Sequence, residues 1–247
     1  MLTLLPEGLS LAAFWALLGA SFVASFITAA LGIGGGGLLL AIMAILMPPT
    51  ALIPVHGIIQ FASNASRMAL LWRNIFWMAL PWFAVGSVVG VAIGGAVAIT
   101  LSPAFVQIGI GLFVIYTVAF RAPKWFSRWP VLTGLVSSVL TMFFGATGLF
   151  VASFTKSHAL PRHAHVATHA TLMTVQHGLK VVVFGVLGFA FGPWVPVMAA
   201  LIATGLAGTF SGRLVLNRMT DARFGMALNV LLIAISLQLI WNGIRAF

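Results

Sequence analysis

Cysteine is absent from the 247 residues, which removes disulfides, thiolate metal sites and thiol nucleophiles from consideration. Acids are nearly as scarce: Asp and Glu total 2, Glu7 and Asp221, against 12 Lys and Arg. Paired aspartates for intramembrane hydrolysis and the HExxH metal motif are therefore both missing. No serine has the flanking of a nucleophile elbow, so the chain is read as no enzyme, with no cofactor implied. Charged residues make up only 6% of the chain and hydrophobic residues 62%. A soluble domain carries about a quarter charged residues. With a mean hydropathy of +1.16, the chain is an integral membrane protein. Its apolar runs are long, which predicts an all-α, polytopic helical bundle; a membrane barrel would show short alternating strands. No hydrophilic stretch is long enough for a separate soluble domain, so residues 1–247 read as one membrane domain.

What is present is positive charge in short turns and glycine and polar residues inside the runs. The formal charge of +10 would suggest nucleic acid on a soluble protein. Here the cations sit between apolar runs, where they orient the chain in a bilayer, and no nucleic-acid partner is expected. The N-terminal "MLTLLPEGLS" lacks the positive region of a signal peptide, and the first helix reads as retained. Proline, glycine and charge punctuation predicts spans at 9–31, 33–47, 51–72, 75–100, 104–120, 131–146, 147–160, 163–184, 193–215 and 224–244. The turns holding Arg73; Arg121, Lys124 and Arg128; Lys156 and Arg162; and Arg213, Arg218 and Arg223 all fall on one side. The turns "MPPT", "TLSP", "GATG" and "GFAFGPWVP" fall on the other and hold neither Lys nor Arg. Positive loops stay cytoplasmic, which places the N-terminus outside the inner membrane of a prokaryote. An eight-span version, with the two glycine segments re-entrant, keeps most of this pattern.

The stretch "LGIGGGGLLL" (residues 31–40) sets Gly34 to Gly37 in a row within an apolar run. Glycine is a poor helix-interior residue, so a break is expected. A shift of 113 positions aligns the chain with itself: Ser25 meets Ser138, Thr28 meets Thr141, Gly32 meets Gly145, Gly35 meets Gly148, Pro48 meets Pro161, His56 meets His169 and Gly95 meets Gly208. The matches fall on helix breakers and rare polar residues, which predicts two repeats, at about 9–120 and 130–245. Each holds about five helices, an odd number, so the second enters the membrane inverted. Inverted repeats with broken helices bind substrate near the midplane. The matched breaks are "GIGGGG" and "FFGATG", whose freed N–H groups and helix dipoles favour an anion. The competing reading is that the glycines only allow close helix packing.

After each break comes a span carrying a polar stripe. His56, Gln60, Ser63, Asn64 and Arg67 share one face of the first; His169, Met173, Gln176, His177 and Lys180 match them in the second. Such stripes are costly in lipid and should face the protein interior. No Asp or Glu lies in any span, so the interior offers donors and suits a small anion rather than a cation. The candidate binding residues are Gly34, Gly35, Gly36, Gly37, His56, Gln60, Asn64, Arg67, Gly145, Thr147, Gly148, His169, Gln176, His177 and Lys180. Arg67 and Lys180 each lie about one to one and a half turns from a span end, so snorkelling to the interface is the alternative for both. His56 and His169 titrate near neutral pH and are the candidate proton carriers; a packed hydrogen-bonding histidine is the alternative. His165 and His169 stand four apart in "HALPRHAHVATH", but with no carboxylate or cysteine nearby the stretch reads as a cytoplasmic turn with His169 dipping into the cavity, not as a metal site.

The glycine-rich break, proline-marked turn and polar span in "GIGGGGLLLAIMAILMPPTALIPVHGIIQFASNASR", echoed in the second half, resemble the TauE/SafE family of sulfite exporters over nearly the whole chain. The resemblance implies a permease for sulfite or organosulfonates, exporting them with the proton gradient. "FFGATG" is a weaker match to the family pattern than the first glycine segment. A passive anion channel is the alternative function; uphill accumulation driven by a proton gradient would exclude it.

Overall fold

The computed structural model describes residues 5–31, 34–98, 103–120, 128–145, 147–215 and 222–245. Gly32, Arg121, Lys124, Arg218, Asp221 and most of the "TLSP" turn fall outside these residues. Among the described residues ten α-helices follow in order: α1 (Leu11–Leu31), α2 (Gly35–Leu46), α3 (Pro49–Leu70), α4 (Leu80–Ala98), α5 (Pro103–Ala119), α6 (Pro130–Phe144), α7 (Gly148–Ser157), α8 (Arg162–Val186), α9 (Val195–Val215) and α10 (Ala222–Arg245). Each expected span has its helix. Proline opens α3 and α6 at the first helical position, where its missing N–H and fixed φ cost nothing.

The two breaks are real. Gly34 takes φ 106° ahead of α2, and Gly145 takes φ 70° after α6; both lie where a side chain is strained. The segments that follow are shorter than expected. At ~1.5 Å per residue, the 12 residues of α2 reach about 18 Å and the 10 of α7 about 15 Å. Neither crosses a ~30 Å hydrocarbon core. Among the described residues, three segments are long and apolar enough to do so: Leu11–Ala30, Trp77–Val97 and Gly192–Leu214. The 22-residue α3 and 25-residue α8 are as long but carry the polar stripes.

Packing follows a crossed plan. Helix α1 lies along α9 and α4 along α6, while α3 pairs with α8 and α5 with α10. Exchanging each helix with the one five places on maps this set of pairs onto itself. The α1–α9 and α4–α6 contacts are backbone-close because glycines face them. A Cβ at Gly208 would stand 2.1 Å from the Phe22 carbonyl oxygen, and one at Gly212 would stand 2.4 Å from that of Phe26. On the other side, Gly86 would meet the Val131 oxygen at 1.9 Å and Gly90 the Leu135 oxygen at 2.5 Å. Both pairs are GxxxG spacings, the small-residue device for joining helices in lipid, where apolar burial supplies no driving force. Trp15, Trp82 and Trp241 are exposed on the outer surface, as side chains facing lipid or its interface are. The polar stripes of the paired helices α3 and α8 are buried, facing one another and the neighbouring α1, α2, α6 and α7.

Candidate functional site

Every polar member of the two stripes is buried. His56, Gln176 and Lys180 are fully so, and His177, Asn64, Arg67, His169, Ser63 and Gln60 nearly so. The inward orientation expected from the cost of polarity in lipid holds for both spans. Arg67 and Lys180 do not snorkel: their exposures are 3% and 0%.

Each histidine is tied to its own broken segment. His56 Nε2 lies 3.1 Å from the Gly36 carbonyl oxygen, and His169 Nε2 lies 3.1 Å from that of Gly148. A carbonyl only accepts, so both bonds put the ring proton on Nε2. The bonds anchor the start of α2 to α3 and the start of α7 to α8. Gln60 closes on the first break as well; a Cβ at Gly36 would sit 3.3 Å from its Oε1. At the second break the tie is Gln176, whose Nε2 donates to Thr147 Oγ1 and to the Ser137 carbonyl oxygen, while its Oε1 accepts from Ser137 Oγ at 2.9 Å. Gly145 packs against α2, where a Cβ would meet Leu40 at 2.8 Å. The second break therefore reaches the helix that follows the first.

The two cations, matched in sequence, have unlike surroundings. Arg67 donates from Nη1 to Ser63 Oγ at 3.0 Å and from Nη2 to Asn64 Oδ1 at 2.7 Å. Ser63 in turn exchanges a hydrogen bond with Ser25 Oγ of α1, and Asn64 Nδ2 donates to the Gln60 carbonyl oxygen. Lys180 packs its stem on the other helix of the pair: a Cβ at Gly57 would stand 2.9 Å from its Cε and 3.7 Å from its Nζ. Among the described residues that Nζ has no hydrogen-bond partner. The same is true of His177 Nδ1, one turn back on α8, and of His56 Nδ1, beside Gly57. The His56 and His177 rings meet edge to face with centroids 6.0 Å apart. Three unanswered buried nitrogens thus gather where α3 meets α8.

Buried polar groups are almost always satisfied, and an unpaired buried ammonium is more costly still. With no carboxylate in either stripe, this cluster suits a small anion. His165 and His169 stack with centroids 6.5 Å apart; among the described residues no group of three His, Cys, Asp or Glu is placed to hold a metal.

The sequence profile described as "Sulfite exporter TauE/SafE" matches residues 17–239. The chain belongs to the TauE/SafE sulfite exporter family. Comparison with curated proteins and with solved structures returns no match. Membership in TauE/SafE makes the chain a multi-pass membrane transporter rather than an enzyme, with sulfur-containing anions as the family's cargo. Sequence reasoning passed over Gly57 and Ser137, both of which shape the site. Gly57 is signalled only by its place beside His56, and Ser137 only by lying next to the repeat-matched Ser138.

Proposed function

We propose that this protein exports sulfite or a small organosulfonate across the cytoplasmic membrane by proton-coupled alternating access, with the anion held at the α3–α8 seam. The observation that carries this reading is the buried trio of Lys180 Nζ, His177 Nδ1 and His56 Nδ1, none with a hydrogen-bond partner among the described residues. An oxyanion accepts from several donors at once and supplies the countercharge that no side chain in the stripes provides.

Proton coupling follows from His56. Its Nε2 proton is engaged by Gly36, so in the neutral ring Nδ1 presents a lone pair that repels an anion. Adding a proton turns Nδ1 into a donor beside Lys180 and His177. Anion and proton then bind together and move the same way, so net flux follows the sum of the two gradients and runs outward when the internal anion outweighs the inward proton drive. His169, bonded to Gly148 in the same manner, is the second candidate carrier.

We further assign the chain to two repeats of inverted topology, 9–120 and 130–245, with the N-terminus outside. The matched residues, the crossed helix pairs and the arginine-bearing turns on one side support this. In such an architecture Gly34 to Gly37, Thr147 and Gly148 lie at the start of the half-length helices, where backbone N–H groups are free to meet the anion, while Gly145, whose N–H is bonded to the Thr141 carbonyl oxygen, shapes the second break.

The test is reconstitution in liposomes with sulfite, thiosulfate, sulfate, sulfoacetate and taurine offered in turn, after a thermal-shift screen of the purified protein. A ligand present at a hundred times its Kd raises stability by about 2.7 kcal/mol. An imposed proton gradient should drive accumulation of one of these anions uphill. Flux that only follows the anion's own gradient would make the protein a channel, and no flux of any of them would end the reading.

A further inference from the structure

A second basic feature lies away from the seam, at the end of the bundle where the arginine-bearing turns meet. The turn after α3, the first residues of α8 and the last of α9 enclose a cleft of about 520 Å³, lined by Trp72, Arg73, Asn74, His163 and Arg213 among others. Among the described residues its lining includes no acid. Trp72, Arg73, Asn74 and Arg213 are exposed, and Arg73 lies over the Trp72 ring with its guanidinium 5.5 Å from the centroid.

Beyond the cleft, towards the core, lies a much smaller crevice of about 10 Å³ bordered by Arg67, Thr209 and again Arg213. The two spaces share Leu70, Leu71 and Arg213 as a common wall. Thr209 Oγ1 has no hydrogen-bond partner among the described residues, although the residue is fully buried. A space of ~10 Å³ admits at most about one water, so no anion passes it in this conformation. Leu70 ends α3, and Leu71 closes the helix with its N–H on the Arg67 carbonyl oxygen at 3.0 Å. A small change in that last turn would therefore move both the wall and Arg67.

We infer that the cleft is a loading site for small oxyanions and sulfonates, and that Leu70 and Leu71 form the gate between it and Arg67. Arg73 and Arg213 draw the anion in, and Arg213, which borders both spaces, hands it to Arg67 when the last turn of α3 shifts. A concave site lined by one sign of charge focuses its field and raises the encounter rate of an opposite charge. The inference rests on the transport reading, and its test is built to separate the two.

The absence of native cysteine allows single-cysteine probes with no background. Asn74→Cys and Thr209→Cys proteins are reconstituted in neutral phosphatidylcholine vesicles and labelled with an anionic sulfonatoethyl or a cationic trimethylammonioethyl methanethiosulfonate. At Asn74→Cys the anionic reagent should react about tenfold faster than the cationic one after correction for their rates on a free thiol. Sulfoacetate should slow that reaction, and Arg213→Gln should erase the preference. Thr209→Cys should react at least about tenfold more slowly with either reagent, being behind the gate. In transport, Arg213→Gln should raise KM for anion offered from this face about tenfold and leave kcat and the opposite-face KM within about twofold, with Arg213→Lys restoring most of the loss.

Equal labelling by both reagents, or an unchanged KM in Arg213→Gln, overturns the loading site while leaving transport intact. Fast labelling of Thr209→Cys overturns the gate. Protection that appears only when phosphatidylglycerol is added to the vesicles assigns the cleft to lipid headgroups and overturns its role in loading. A wild-type protein that moves no sulfur anion removes the inference together with the transport reading.

Discussion

Lys180 and Arg67 hold matching places in the two halves of the chain, yet their surroundings give them different work. Arg67 is answered by Ser63 and Asn64, so Arg67→Ala leaves two buried polar groups short of a donor. Hydrogen bonds to a charged group contribute about 1.5–3 kcal/mol, and a stability loss in that range should accompany weakened transport. Lys180 has no such partners. Lys180→Ala should insert and fold as well as wild type, or better, because an unpaired buried ammonium is unfavourable. Its anion flux should nevertheless fall at least about tenfold, the effect of removing one charge-assisted contact of roughly 1.4 kcal/mol or more. Thermal melting beside vesicle flux separates the two outcomes. His56→Ala should flatten the pH profile: wild-type transport falls as pH rises and Nδ1 reverts to a lone pair, and the variant should show no such limb. An unchanged profile would clear His56 of any proton role. The stripes themselves were legible in sequence because polarity at helical spacing has few meanings in a membrane. The difference between the two cations was not. It depends on whether the neighbours three and four residues back can accept: Ser63 and Asn64 can, whereas for Lys180 the equivalent places hold Gln176, committed to Ser137 and Thr147, and His177.

At the scale of helices, adjacent glycines divide into those that packing demands and those it does not. A Cβ at Gly35 would stand 1.7 Å from the Ala24 carbonyl oxygen, a backbone atom that cannot step aside, whereas at Gly37 nothing lies within 4 Å. Gly35→Ala should cost about 3 kcal/mol or fail to fold. Gly37→Ala should be tolerated, even gaining up to ~1 kcal/mol from helix propensity. Denaturation of the two purified variants in detergent decides the point, and similar stabilities would contradict the packing of α2 on α1. Four consecutive glycines announced the break because no other role needs so many together. The lengths of α2 and α7 were less legible: the apolar runs continue to "MPPT" and to "KSHALPR", and only the positions of Gly34 and Thr147 show that so few residues remain for each helix. The GxxxG pairs on α4 and α9 were in plain view, but their partners were not, since spacing does not say which helix will lie opposite.

For the molecule as a whole, the positive turns and the pairing of helices agree. Arg73 in the turn after α3, His163 in the first turn of α8 and Arg213 in the last turn of α9 line one cleft, and Arg162 Nη2 donates to the Ala30 carbonyl oxygen at 3.1 Å. The ends of α1, α3 and α9 and the start of α8 therefore share one face. If that face is cytoplasmic, as the positive charge implies, a membrane-impermeant thiol reagent applied to intact cells should label Ala190→Cys, in the turn before α9, and spare Asn74→Cys. The reverse labelling would turn the protein over without disturbing its internal plan.

Because α1 lies along α9 and α4 along α6, neither half of the chain owns a complete set of neighbours. During synthesis the glycine-bearing face of α4 emerges well before α6, and α1 waits longer still for α9. A fragment ending near residue 120 should therefore be cleared by membrane proteases when made alone. It should persist once residues 130–245 are supplied as a second polypeptide.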